Sequence, residues 1–199
     1  MSETKNPWKV TSRATVYDNP WIRVDHHEVL NPAGKPGIYG VVRFKHYAIG
    51  VVPIDEHGNV ILVGQHRFPS GEYSWEIPEG GGPFGGSILE SAQRELREEC
   101  GIAARSWLEV VQMDLSNSVT DERGVAFLAW DLSHGTAEPE EAEQLQVARV
   151  PFEQALERVK RGEIRDSLSL AAILKVALMA LQGELPEPLR GVIRVHARP

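Results

Sequence analysis

The sequence predicts an α/β protein of mixed α+β character: a sandwiched α/β/α domain preceded by an antiparallel sheet. Three observations carry this reading. The first third alternates apolar and polar residues between turn-forming clusters, as half-buried strands do. A single acidic helix follows a glycine-rich run in the middle of the chain. Further strand-like segments and two helical patterns close it, with neither an internal repeat nor a linker between two cores. With 199 residues, 42% hydrophobic and 25% charged, the chain can bury one substantial core.

The elements follow in order. Strands are expected at Ala14–Tyr17, Trp21–Leu30 and Ile38–Phe44, separated by Asp18-Asn19-Pro20 and Asn31-Pro32-Ala33-Gly34. Tyr47–Ile54 and Asn59–Gln65 read as a hairpin around Asp55-Glu56-His57-Gly58. Ser74–Ile77 is a short extended piece ended by Pro78, which cannot donate to a ladder. Gly80 to Gly86 reads as a tight turn that lets backbone approach a ligand or metal closely. The helix Ile88–Cys100 opens on a capping box, Ser87 with Glu90, and closes on Gly101. Ile88, Leu89, Ala92 and Leu96 form the apolar sector that docks it. Strands return at Trp107–Leu115, Val125–Asp131 and Leu145–Val150, then helices at Phe152–Arg161 and Ser167–Leu181. The expected division is an N-terminal β element (1–45), a main domain (46–183) and a flexible tail (184–199).

Composition narrows function. A net charge of −7 argues against broad nucleic-acid binding, which needs a positive footprint. Cys100 is the only cysteine, so no intrachain disulfide can form. The apolar run Leu168–Leu181 is interrupted by Lys175 and is too short to span a bilayer, and the first residues lack the apolar core of a signal peptide. A cytoplasmic protein is expected, with no membrane partner.

The chemistry concentrates in Arg94-Glu95-Leu96-Arg97-Glu98-Glu99. Glu95, Glu98 and Glu99 stand at i, i+3 and i+4, on one helical face. Three anions that close repel unless a cation sits among them, and a hard ion such as Mg²⁺ prefers carboxylate oxygens. A solvated acidic face is the other reading. The glycine run superficially matches a dinucleotide fingerprint, but Pro83 removes an amide donor and no βαβ unit surrounds it. Cys100 has no histidine beside it in sequence and reads as packing. His26 and His27 alternate across a strand, so a shared metal is improbable. Trp75, next to Glu76, reads equally as core or as a base-stacking platform.

Gly80-x5-Gly86-x7-Arg94-Glu95-Leu96-x-Glu98-Glu99-x-Gly101-Ile102 resembles the Nudix box, G-x5-E-x7-R-E-U-x-E-E-x-G-U with U aliphatic. Gln65-His66-Arg67, Trp75 through Gly80, Val150 through Ala155 and Gly162 through Asp166 resemble segments of the ADP-ribose and nucleotide-sugar pyrophosphatase branch. The resemblance implies a mixed-sheet α/β/α sandwich. It implies metal binding by Glu98 and Glu99, with Glu95 as a further ligand and Glu79 offering its backbone carbonyl. It further implies that Arg94 orients the box, that Arg67 contacts phosphate or ribose beside Trp75 and Glu76, and that Glu141 or Glu143 handles the attacking water. Members commonly dimerise through the N-terminal sheet, which can exchange between subunits.

Two departures stand out. Gly86 replaces the usual glutamate that braces the box arginine, and Ser116-Asn117-Ser118 lacks a proline common in ADP-ribose-preferring members. The expected activity is Mg²⁺-dependent (or Mn²⁺-dependent) hydrolysis of a nucleoside diphosphate sugar such as ADP-ribose or GDP-mannose by a homodimer. The alternatives are a nucleotide-sugar sensor that does not cleave and a housecleaning nucleoside triphosphate hydrolase.

Overall fold

A computed structural model of the chain describes residues 5–138 and 144–195. Its contacts divide into two units: the chain up to His46 with Asp114–Glu122, and Tyr47–Met113 with the chain from Arg123 onward.

The first unit is an antiparallel meander of β1 (Lys9–Asp18), β2 (Ile22–Leu30) and β3 (Pro36–Phe44), in that spatial order. Asn19 makes the first turn, its side-chain oxygen accepting the N–H groups of Trp21 at 2.9 Å and Ile22 at 2.7 Å. Asp25 is buried at the centre of the sheet and accepts from Arg13 at 2.5 Å and Thr15 at 2.9 Å. Burial alone would raise its pKa; the bonds from Thr15 and Arg13, with the charges of Arg13 and Arg23, hold the carboxyl below its ordinary range. The polar loop expected at Ser116–Glu122 laces onto β3, where Val42 donates to Val119 at 2.9 Å and Phe44 donates to the Asp121 carboxylate at 2.9 Å. His26 and His27 do part to different environments: His27 is buried against the Tyr39 carbonyl, while His26 meets Glu28.

The second unit is the sandwich. One sheet orders β7 (Glu79–Pro83), β4 (His46–Pro53), β9 (Arg123–His134) and β8 (Ile102–Asp114); the other orders β10 (Gln146–Pro151), β5 (Asn59–Arg67) and β6 (Glu72–Glu76). β4 and β9 run parallel, and both read as near-continuous apolar runs because both of their faces are buried. Alternation divides them. Val52, Ile54, Ala126 and Leu128 join the core that includes residues of α2 (Phe152–Lys160) and α3 (Ser167–Gln182). Ile49, Val51, Val125 and Phe127 join the core of α1 (Ile88–Cys100). The α/β/α layering follows from that period-two split.

Two expectations change. β4 and β5 do not form a hairpin ladder: the Asp55–Asn59 turn is present, but only Ile54 and Val60 bridge before the strands enter different sheets. Both strands are buried on both faces, so each is better covered inside its own sheet. The glycine run is likewise not all turn, since Glu79–Pro83 is a strand beside β4 and the reversal comes only afterwards, with Gly86 N–H on the Pro83 carbonyl at 3.1 Å. After α3 the chain continues through buried Leu185, the short helix α4 (Leu189–Val192) and buried Ile193.

Candidate active site

α1 begins and ends where its caps dictate. Ser87 accepts the Glu90 N–H at 3.2 Å, and Gly101 adopts φ 65°, its N–H turned back to Arg97 and Leu96. Ala92 and Leu96 are fully buried in the core, while Leu89 stays exposed. One helical row away, Ser91, Glu95 and Glu99 are also buried; Glu98 is half-exposed beside them.

β7 meets this acidic row. A methyl group on Gly80 would lie 2.2 Å from the Glu95 carboxyl carbon, so glycine is what lets the two backbones close. Two polar contacts lock the pair, and two more hold Arg94 against its own helix. The Glu79 N–H donates to Glu99 Oε2 at 3.0 Å. Arg94 Nη2 donates to the Gly81 carbonyl at 2.8 Å and to Glu95 at 2.6 Å, and Arg94 Nη1 donates to Glu98 at 2.7 Å. The close backbone approach expected of the glycines is thus made to the acidic helix itself. Three carboxylates beside strand carbonyls form an all-oxygen donor set, which fits a hard divalent cation.

A second cluster lies on the far ends of β5 and β6. Arg67 Nε donates to both oxygens of Glu76 at 3.1 and 3.0 Å, and Nη2 donates to Glu76 at 2.5 Å and to Glu79 at 2.8 Å. Asp166 caps α3 by accepting the Ser169 N–H at 2.7 Å, and its carboxylate lies within 4.8 Å of those of Glu76 and Glu79. Ser169 in turn accepts the buried Ile77 N–H at 3.0 Å, which ties α3 to the strand that carries Glu76. Burial, with Asp166 and Glu76 alongside, pushes the Glu79 carboxyl well above the ordinary range in spite of Arg67.

The structure therefore brings together Glu95, Glu98, Glu99, Arg94 and Glu79, and Glu79 links them to Arg67 and Glu76. It does not bring Trp75 there. Strand alternation turns Trp75 to the opposite face of β6, where it packs on the core below Arg158, 6.0 Å from ring centre to guanidinium. Glu141 and Glu143 lie outside the described residues. Cys100 is packed, its thiol pushed up to about 12 by burial and by Glu99. Asp166 is the residue that sequence reasoning missed: its pattern before Ser167 signals a helix cap, but nothing local shows that the cap meets Glu76 and Glu79. A cleft of ≈ 350 Å³ between His57, Phe152 and Val192 includes none of these residues.

Two buried sheets, an acidic helix pinned to a glycine strand and the R-E-L-x-E-E row define the class, a Nudix-type sandwich. Comparison with known proteins agrees. The chain matches the NUDIX domain model over residues 44–171 and the nucleoside diphosphate sugar hydrolase N-terminal domain over residues 8–42. It is 30% identical over 190 residues to the ADP-ribose pyrophosphatase of Mycobacterium tuberculosis (strain ATCC 25618 / H37Rv), covering 93% of this chain and 90% of the relative. It is 28% identical over 195 residues to the ADP-sugar pyrophosphatase of Mus musculus, covering 90% and 89%. A crystal structure of an ADP compounds hydrolase shares the fold with a TM-score of 0.80 at 21% identity, covering 92% of this chain and all of that one. The chain belongs to the Nudix family and is a Nudix hydrolase. Among its described residues no helix is long and apolar enough to cross a membrane.

Proposed function

We propose that this Nudix hydrolase cleaves the diphosphate of a nucleoside diphosphate sugar, yielding a nucleoside monophosphate and a sugar phosphate, with Mg²⁺ as its ion and Mn²⁺ as a substitute. The observation that carries the reading is the row Glu95, Glu98 and Glu99, held to the glycine strand by Arg94 on the Gly81 carbonyl and by the Glu79 N–H on Glu99. Relatives that are ADP-ribose and ADP-sugar pyrophosphatases over nearly their whole length support the substrate class.

Glu98 and Glu99 would hold the ion, with Glu95 and the Glu79 carbonyl as further ligands. Once bound, it supplies charge neutralisation and Lewis acidity at the diphosphate oxygens. The chain's own residues do the rest. Arg94 keeps Glu95 and Glu98 in place, so no reorganisation is needed as charge develops. Arg67, set by Glu76, meets the diphosphate or the ribose, and Trp75 supports that strand from its other face. Glu141 or Glu143 takes the proton from the attacking water as its oxygen bonds to phosphorus and the bridging P–O bond breaks.

The missing glutamate at Gly86 favours a second reading, a sensor that binds without cleaving. Against it, Arg94 already has the Gly81 carbonyl as a brace. Two copies pairing through the N-terminal sheet form the proposed assembly, supported by exposed Val16, Tyr17, Trp21 and Ile38. A cytoplasmic setting is supported by the single cysteine.

The test is a panel of ADP-ribose, ADP-glucose, GDP-mannose and UDP-glucose with Mg²⁺ and with Mn²⁺, read by release of monophosphate and sugar phosphate. Turnover of at least one is expected. Binding without release would establish the sensor instead, and preference for a nucleoside triphosphate would move the protein to another class of Nudix substrate.

A further inference from the structure

Arg67 reaches solvent with most of its guanidinium already engaged. Glu76 takes the Nε and Nη2 edge, and Glu79 takes Nη2 from the other side at 2.8 Å. Nη1 has no hydrogen-bond partner among the described residues. The arginine side chain is 37% exposed, against 3% for Glu76 and 14% for Glu79, so the carboxylates are inside and the unpaired prong is the part that a ligand can meet.

A third carboxylate complicates this arrangement. Asp166 is fixed as the N-cap of α3, within 4.8 Å of both glutamates, and its charge also acts on Arg67. One guanidinium thus has three acceptors to choose from. Glu76 holds Nε and one hydrogen of Nη2, which leaves the second Nη2 hydrogen to be taken either from the Glu79 side or from α3. Glu79 decides it, because it takes that second hydrogen at 2.8 Å.

We infer that the Glu79 side chain is a positioning residue for Arg67: it keeps Nη2 from Asp166 and so leaves Nη1 facing the substrate. The inference rests on the nucleotide-sugar reading above. It concerns the side chain only, since the Glu79 carbonyl and N–H persist in any substitution. Removing the carboxyl leaves Nη2 with Glu76 alone, and the nearest acceptor for its freed hydrogen is Asp166. The guanidinium then turns towards α3 and withdraws Nη1. A charge-assisted contact to the substrate is lost while the carboxylates of α1 stay in place, so the loss falls on binding rather than on chemistry.

Steady-state kinetics on the best nucleotide sugar of the panel test this. Glu79→Ala is expected to raise KM about tenfold, the value of one hydrogen bond to a charged group, with kcat and the Mg²⁺ activation constant near wild type. Glu79→Gln, which still offers Nη2 an acceptor, stays near wild type. Glu79→Asp is one methylene too short for the 2.8 Å contact and behaves like alanine; it carries the test if the alanine variant fails to fold. In an Arg67→Ala background, Glu79→Ala has no further effect. Adding Asp166→Asn to Glu79→Ala restores most of the KM, because asparagine still caps α3 but no longer attracts the arginine. A loss in kcat at constant KM, an effect that persists without Arg67, or a glutamine variant as weak as alanine overturns the inference alone. A wild-type protein that turns over no nucleotide sugar overturns both it and the proposed function.

Discussion

Gly80→Ala isolates the contact between β7 and α1. Gly80 has no positive φ, so alanine meets no backbone strain there. Its methyl group would instead stand 2.2 Å from the Glu95 carboxyl carbon and 2.4 Å from each oxygen. Ordinary contact distances require the carboxylate to withdraw by about 1 Å. The 2.6 Å bond between Glu95 and Arg94 cannot survive that movement. A charge-assisted bond is nominally worth about 1.5–3 kcal/mol, but Arg94 is 36% exposed and solvent screening reduces its share to about 1 kcal/mol. The melting temperature should therefore drop by only about 2–4 °C. Turnover should fall much further, by about a hundredfold, because a displacement of about 1 Å in a proposed metal ligand is costly. Gly86→Ala is the control: its methyl group would meet only Pro83, at 3.4 Å, and both readouts should match wild type. The assay is kcat on a nucleotide sugar at saturating Mg²⁺, paired with a thermal melt. Wild-type turnover in Gly80→Ala, or an equal loss in Gly86→Ala, would refute the reasoning.

Gly86→Glu should raise kcat/KM severalfold if a carboxylate there adds a brace to Arg94; an unchanged value means that the Gly81 carbonyl already suffices. Asp55 accepts the N–H groups of His57 at 2.9 Å and Asn59 at 2.8 Å. Burial would raise its carboxyl, but the bonds from Asn59 and His57 and the charge of Arg149 hold it below the ordinary 3.8. Its stabilisation is thus present above that value and lost as pH falls through the depressed folded pKa. The gap in melting temperature between wild type and Asp55→Asn should be widest near neutrality and close in acid; a gap constant with pH contradicts this. Of Glu141→Gln and Glu143→Gln, one should lower kcat about a hundredfold at similar KM, the scale of general base catalysis. Normal kcat in both places the handling of water elsewhere.

Legibility followed locality. The bounds of α1 were readable because caps and apolar spacing all lie within the segment: Ser87, Glu90, Ala92, Leu96 and Gly101 each speak for it. The acidic row was readable for the same reason. β7 was not, because glycines carry no strand preference and the strand exists only where Gly80 and Gly82 let β7 close on Glu95, Ile49 and Ser91. The Asp55–Gly58 turn was read correctly, yet which sheets its two strands would enter is a non-local choice. Trp75 and Glu76 are adjacent in sequence but strand alternation parts them. Leu185, Leu189 and Ile193 carry an i, i+4 packing signal that the proline- and glutamate-rich composition around them hides. Asp166 meets Glu76 and Glu79 only through the packing of α3, and no spacing in the sequence encodes that.

The central claim is that the carboxylates of α1 drive cleavage of a diphosphate. The most direct measurement is turnover of Glu98→Gln and Glu99→Gln beside wild type, on the best substrate of the panel with saturating Mg²⁺. Each variant keeps the size and hydrogen-bonding reach of its side chain, including an acceptor for the Glu79 N–H at position 99. Turnover is predicted to fall by about a thousandfold or more in each, with melting temperatures within a few degrees of wild type. Near-normal turnover in both would contradict the account.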